Sequence, residues 1–402
     1  MQPTILTPTL PPAAASLRHL ARLLGLLLLL PAARADYADI VTAFQTVRTG
    51  TVFPVEGKVF DDIEETFGPR AQPSLGGAYD WHRGFDLDGV GGENVLAAYG
   101  GEFVKLDYSS SAGNYVVLKH TFASPVPFGT NPSKNTWSTF YTYYMHLDNE
   151  VTTRVANNNW VAGSAIAAGT HIGELGNTGG SGGADYAMHL HFELRFGSSN
   201  PLENQIAGDG LTAGDAWFDP HMNPMLLFDP NNATLRGASA GSAYTQSLAL
   251  QAAGTVAGAR SILYTSSLDE LAIVNRFQVE VKSAGDSTVL LSHTLDFNQR
   301  IGFDATSNAL LDEQDPTKPY MVPQEFTDVQ ANYLTMLAVP DEWLGAYAAE
   351  DYEITITASD IWNNSTSLTV SAIPEPSTYA ALGGLLALGA AMWRRRVAMA
   401  TV

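Results

Sequence analysis

His189-Leu190-His191-Phe192-Glu193-Leu194-Arg195-Phe196 alternates polar and apolar side chains for eight positions without a break. Successive side chains of an extended backbone point to opposite faces, so this stretch predicts a half-buried β-strand. Leu190, Phe192, Leu194 and Phe196 face a core. His189 and His191 share the other face, two residues apart and close enough to serve one site. Surface polarity explains one such histidine more readily than two. Alternation recurs at residues 114–119 and 139–147, and the whole span 51–228 is rich in glycine and turns with no long amphipathic helix. A mostly β domain is the reading.

A second cluster, Trp81-His82-Arg83-Gly84-Phe85-Asp86-Leu87-Asp88-Gly89, sets His82 and Asp86 four residues apart. Extended, it puts His82, Gly84, Asp86 and Asp88 on one face; Gly84 and Gly89 disfavour the helix that would also align the pair. A third element, Phe140-Tyr141-Thr142-Tyr143-Tyr144-Met145-His146-Leu147, reads as an aromatic strand ending in a histidine. Each is weak alone, since His-x-x-x-Asp pairs arise by chance. Together they compose the donor set of a catalytic zinc, which takes three protein ligands and leaves a fourth position for water. His82, Asp86 and one histidine of the 189/191 pair fill the three places, and spacing does not decide which one. The other histidine and His146 are left for proton transfer and for stabilising oxyanion charge.

Composition narrows the choice. None of the 402 residues is cysteine, so there is no disulfide framework, no thiol nucleophile and no cysteine zinc site. Any metal rests on His, Asp and Glu. A formal net charge of −20 opposes binding to nucleic acid or to an anionic membrane surface.

Both ends carry targeting patterns. Arg18 and Arg22 lead into the apolar run 23–30, and Ala33-Arg34-Ala35 offers small residues for cleavage. This predicts a secretory signal over residues 1–35 and a mature chain that begins near Asp36. At the other end Pro374-Glu375-Pro376 precedes the apolar run 379–393 and Arg394-Arg395-Arg396. This arrangement, over 373–402, resembles the PEP-CTERM sorting tail. The resemblance implies export, transient inner-membrane retention and processing by an exosortase-type enzyme, with membrane contact only through this tail. Residues 229–245 read as a Gly/Ala/Ser-rich linker. Residues 246–372 alternate again and turn at Trp362-Asn363-Asn364, which predicts an Ig-like β-sandwich accessory domain without a His/Asp/Glu constellation.

The ordered set His82-x-x-x-Asp86, Tyr144-Met145-His146-Leu147 and His189-Leu190-His191-Phe192-Glu193 resembles the lysostaphin-type (LytM-like) zinc metallopeptidases. So do Phe67-Gly68-x-Arg70, Val116-Val117-Leu118-Lys119-His120 and Gly176-Asn177-Thr178-Gly179. The resemblance implies a compact antiparallel β-sheet domain with one Zn2+ per chain at the floor of a narrow groove. His82, Asp86 and His191 are then the metal ligands, and His146 and His189 the catalytic histidines. It implies cleavage of peptide bonds in bacterial peptidoglycan, at neutral rather than acid pH because the imidazoles must be neutral. Retention of every ligand favours an active enzyme over a non-catalytic peptidoglycan-binding protein or amidase activator. Residues 121–138, with three prolines and Trp137, read as a longer connection than the simplest members carry. His120 lies near the site without being a ligand, and His171, His221 and His293 have no partner motif.

Overall fold

A computed structural model describes residues 37–72, 78–127, 136–180, 186–196, 221–236, 249–255, 262–267, 274–283, 288–296, 302–304, 309–312, 315–321, 336–338 and 352–371. The signal segment 1–35, the sorting tail 373–402 and the second half of the linker lie outside them.

Helix α1 (Tyr37–Arg48) comes first. The strands that follow are β1 (Ile63–Glu65), β2 (Gly68–Gln72), β3 (Ala78–His82), β4 (Phe85–Asp88), β5 (Asn94–Leu96), β6 (Gly101–Ser109), β7 (Gly113–Pro127) and β8 (Thr136–Leu147). After helix α2 (Glu150–Asn157) come β9 (Ala165–Ile166), β10 (His171–Glu174), β11 (His189–Phe196) and β12 (His221–Met222). The main sheet runs β1-β4-β11-β8-β7-β6-β9, with β12 added beside β11, and its pairings are antiparallel. Alternation predicts these strands, and the family resemblance their antiparallel sheet.

One face of the sheet builds the core. Leu190, Phe192, Leu194 and Phe196 of β11 are fully buried there with Phe140 and Tyr144 of β8 and Phe85 and Leu87 of β4. Helix α1 closes this face. Its Ile40, Val41, Phe44 and Val47 lie on one helical stripe and are buried, and the Phe44 ring meets Phe122 and Phe140 edge-on, each at 5.3 Å. The packed unit therefore includes helix α1, ahead of residue 51. It also runs past 228: Leu235 is buried, and its carbonyl accepts the Phe60 N–H at 2.8 Å, so the first linker residues belong to the same body.

The connection 121–138 is largely strand. β7 and β8 stay paired to Val126↔Trp137 and Pro127↔Thr136 beyond a register shift between Thr121 and Val126. Phe122 and Val126 are buried, with Trp137 packed against them. Only residues 128–135 fall outside the described hairpin.

The C-terminal half contributes β13 (Ala249–Thr255), β14 (Ile262–Ser267), β15 (Val274–Ser283), β16 (Val289–Asp296), β17 (Gly302–Asp304), β18 (Ala309–Asp312), β19 (Asp315–Met321), β20 (Met336–Ala338), β21 (Tyr352–Asp360) and β22 (Ser365–Ser371). They form antiparallel sheets of order β16-β15-β21-β22, β13-β14-β20 and β17-β18-β19. This meets the sandwich expectation in its antiparallel strands; an Ig-like arrangement is not established. The β21–β22 turn reaches the core of the N-terminal unit, where Ile361 and Trp362 are buried and Trp362 Nε1 donates to the Phe228 carbonyl at 3.2 Å.

Candidate active site

Strand pairing brings two of the expected ligands together. β4 lies antiparallel to β11 with His191 opposite Asp86 and His189 opposite Asp88, and residues so paired on one face sit about 5 Å apart at Cβ. His82 arrives from the end of β3, which pairs with β2 in a separate two-stranded sheet. The segment read as one extended run is thus two strands joined at Arg83-Gly84. A Cβ at Gly84 would lie 2.3 Å from the Phe192 carbonyl oxygen and 2.9 Å from His191 Nε2. Only glycine lets the backbone pass that close.

Among the described residues His82, Asp86 and His191 form the one cluster of three metal-capable donors. His82 Nε2 stands 3.1 Å from His191 Nδ1 and 3.3 Å from Asp86 Oδ2, and His191 Nδ1 stands 2.7 Å from Asp86 Oδ1. Tetrahedral zinc with bonds of about 2.0–2.1 Å sets its donor atoms roughly 3.3 Å apart, so the spacing and chemistry of this set fit that ion. His82 Nδ1 donates to the Thr66 carbonyl at 2.8 Å, which leaves its Nε2 lone pair facing the cluster. Burial alone raises the Asp86 carboxyl, but the charges of His82 and His191 outweigh it and hold the group well below the usual carboxylate range. Burial alone lowers His191; Asp86 and Glu193 reverse that and lift it to about 9. The pocket is thus built for a cation.

His146 reaches the same face by breaking the strand rule. Alternation along β8 would send it to the core side with Phe140 and Tyr144. Its backbone instead adopts φ 62°, at a register shift between Asn114↔Leu147 and Val116↔Tyr144. A bulge with a left-handed residue re-aims a side chain, and such strain gathers at functional positions. His146 Nδ1 donates to the Thr178 carbonyl at 2.9 Å, and its ring lies 4.6 Å from that of His189 and 6.0 Å from that of His191. His189 Nδ1 donates to the Ala187 carbonyl at 2.8 Å, while its Nε2 faces Asp86 Oδ1 at 3.9 Å. A carbonyl only accepts, so both Nδ1 atoms carry a proton, and neither Nε2 is taken up by these bonds. Burial first, then the neighbouring His189 and His191, pull His146 down to about 3. It stays neutral.

Residues 80–203 match the model of peptidase family M23, and residues 372–396 match the PEP-CTERM protein-sorting motif. This chain carries an M23 peptidase domain. A curated relative, the peptidoglycan DD-endopeptidase ShyC of Vibrio cholerae, is 28% identical over 135 residues, which is 34% of this chain and 25% of the relative. The chain thus spans about a quarter of that relative's length. Among solved structures, a zinc-containing peptidase from Vibrio cholerae aligns at 24% identity and TM-score 0.26, covering 37% of this chain and 36% of its own. The catalytic domain of the antimicrobial peptidase lysostaphin from Staphylococcus simulans aligns at 24% identity and TM-score 0.24, covering 35% and 86%.

Behind its cluster the M23 domain has a buried charge relay. His191 Nε2 meets Glu193 Oε1 at 3.1 Å; Glu193 Oε2 accepts from Arg195 Nε at 2.6 Å and lies 3.6 Å from His221 Nε2. The Arg195 guanidinium lies over the Tyr143 ring, 4.3 Å from its centroid. A carboxylate on the far nitrogen of a ligating histidine fixes its orientation and raises its basicity. Glu193 stood in the quoted strand, two residues from His191, yet the alternation marked it only as polar. His221 had no sequence signal at all, because β12 is added to β11 by tertiary pairing. His120 is no ligand: its Nδ1 meets the Gly100 carbonyl at 2.9 Å and its Nε2 the Thr142 hydroxyl at 2.8 Å, on the core side. His171 lies on β10 against Glu174 at 3.2 Å. The side chain of His293 is outside the described residues.

Proposed function

We propose that this protein is an exported zinc metalloendopeptidase that hydrolyses peptide bonds of bacterial peptidoglycan. One observation carries the reading: three donors from separate strands converge at the spacing of a tetrahedral ion, with the imidazoles of His146 and His189 beside them. The M23 domain supports peptide hydrolysis, and the relative named as a peptidoglycan endopeptidase supports the substrate class.

Zinc held by His82, Asp86 and His191 supplies Lewis acidity and lowers the pKa of water from 15.7 towards roughly 7. The chain's own groups do the rest. As the water oxygen bonds to the scissile carbonyl carbon, the π pair moves onto the carbonyl oxygen and one water proton passes to Nε2 of His146 or His189. The C–N bond then breaks, the proton goes to the departing nitrogen, and the products are a carboxylic acid and an amine. Only an imidazole that has taken up the proton can donate to the oxyanion. Glu193 keeps His191 in its ligating orientation throughout.

The signal segment and the PEP-CTERM motif support export, transient anchoring at the inner membrane, processing by an exosortase-type enzyme, and residence in the periplasm, at the outer surface or outside the cell. Among the described residues no helix is long and apolar enough to cross a membrane, and the tail lies outside them. A non-catalytic peptidoglycan-binding protein or amidase activator is the second reading, and the complete set of five side chains weighs against it. Isolated sacculi digested with the purified chain and zinc separate the two. Soluble peptides that vanish with a chelator and in His191→Ala support the enzyme; a folded protein that holds sacculi but releases nothing supports the binder.

A further inference from the structure

The candidate site is rich in acceptors. His82 spends its Nδ1–H on Thr66, His146 on Thr178 and His189 on Ala187, while Asp86 is a carboxylate and both His191 nitrogens meet carboxylates. None of the five side chains offers an uncommitted N–H or O–H to the substrate. A carbonyl that becomes an oxyanion needs such a donor, already in place, and preorganised donors are among the largest contributors to acyl-transfer catalysis.

Tyr186 packs beside two of these five side chains. Its ring centroid lies 4.5 Å from that of His146, and 5.9 Å from that of His189 at an interplanar angle of 89°. It is 38% exposed. Its hydroxyl makes no hydrogen bond to the described residues. The segment that carries it is anchored on both sides: Tyr186 N–H donates to the Asn177 carbonyl at 3.1 Å, and the next residue, Ala187, supplies the carbonyl that orients His189. Packing explains a buried tyrosine. It does not explain an exposed one that spends its ring on two site histidines and gives its O–H to none of the described residues.

We infer that Tyr186 is a substrate-contacting residue of the M23 site, whose hydroxyl donates a hydrogen bond to the scissile carbonyl oxygen as negative charge develops there. The inference rests on the peptidase reading above. No proton leaves the phenol: the bond it makes strengthens as the carbonyl oxygen becomes an oxyanion and weakens again when the C–N bond breaks. The contribution therefore appears in kcat rather than in KM.

Tyr186→Phe removes the hydroxyl and keeps the ring; Tyr186→Ala removes both. The test measures steady-state cleavage of soluble peptidoglycan fragments by the full chain with zinc, alongside zinc content and thermal unfolding for each variant. Tyr186→Phe is expected to lower kcat by about 100- to 1000-fold, the range for one oxyanion donor, with KM, zinc content and unfolding unchanged. Tyr186→Ala is expected to fall at least as far. A Tyr186→Phe enzyme with wild-type kcat overturns the inference, even if Tyr186→Ala is slow, because the role is then one of packing against His146. A rise in KM alone overturns it too. A wild-type chain that binds zinc yet cleaves nothing is a different result: it removes the peptidase reading itself and this inference with it.

Discussion

A methyl group at position 84 has nowhere to go. Gly84→Ala puts a carbon within contact-breaking distance of the Phe192 carbonyl oxygen and of His191, so β3 must move away from β11 and take His82 with it. Overpacking of this kind costs about 1–3 kcal/mol, and the variant is expected to lose both stability and zinc affinity, read by denaturant unfolding and by titration against a competing chelator. Glu193→Gln keeps the shape but removes the charge behind His191; zinc affinity is expected to fall about 10- to 100-fold, with the strand register intact. His120 is expected to contribute to an acid-side stability change, alongside His146 and the depressed carboxyls of Asp86 and Glu193. Burial lowers its folded pKa from 6.5 to about 4, so between those values the unfolded chain binds the extra proton and stability falls as pH falls. That difference corresponds to at most about 3–4 kcal/mol, and unfolding midpoints of His120→Gln measured from pH 7 to pH 4 should lose that component of the slope. At this scale the sequence was legible where one rule sufficed. Alternation put His189 and His191 on one face, and the structure has both there. It could not aim His146, because the left-handed backbone that turns its ring arises from a bulge against β7 and leaves no mark in the local pattern.

Elements were legible in proportion to their regularity. Strand β11 followed from its eight alternating residues, whereas the two strands around Arg83-Gly84 read as one, since the interruption is imposed by the neighbouring Phe192 backbone. The long β7–β8 hairpin read as an irregular connection because prolines mark loops. Pro125 falls within the register shift, where no ladder hydrogen bond is needed, and the strands resume pairing beyond it. Helix α1 carries its apolar residues at 40, 41, 44 and 47 with helical spacing, but it borders the export signal and lies outside any motif. Its place in the core leads to a specific expectation. Phe44→Ala should destabilise the domain by about 3–5 kcal/mol, and a chain that starts at residue 51 should melt well below one that starts at 36, both read by thermal unfolding.

Across the whole molecule, the C-terminal half is attached to the N-terminal half by the β21–β22 turn. Asp360 Oδ1 accepts the Trp362 and Asn364 N–H groups at 2.9 and 2.8 Å, Asn363 takes a positive φ, and the turn presents Ile361 and Trp362 to the core beside Phe228. The turn residues were visible in the sequence, but their partner was not, since Phe228 lies 134 positions away. Trp362→Ala should cost about 3–5 kcal/mol and split a shared unfolding transition into two, as followed by circular dichroism and by fluorescence of the remaining tryptophans. A variant that still melts in one unchanged transition would show that the turn does not couple the halves. The most direct measurement is zinc X-ray absorption on the loaded chain, with the metal counted per protein. One ion per chain in a four-coordinate shell of nitrogen and oxygen donors at about 2.0–2.1 Å, lost in His82→Ala and His191→Ala, is the expected result. A chain that folds but retains no zinc, or whose bound zinc keeps the same shell in both variants, contradicts the account.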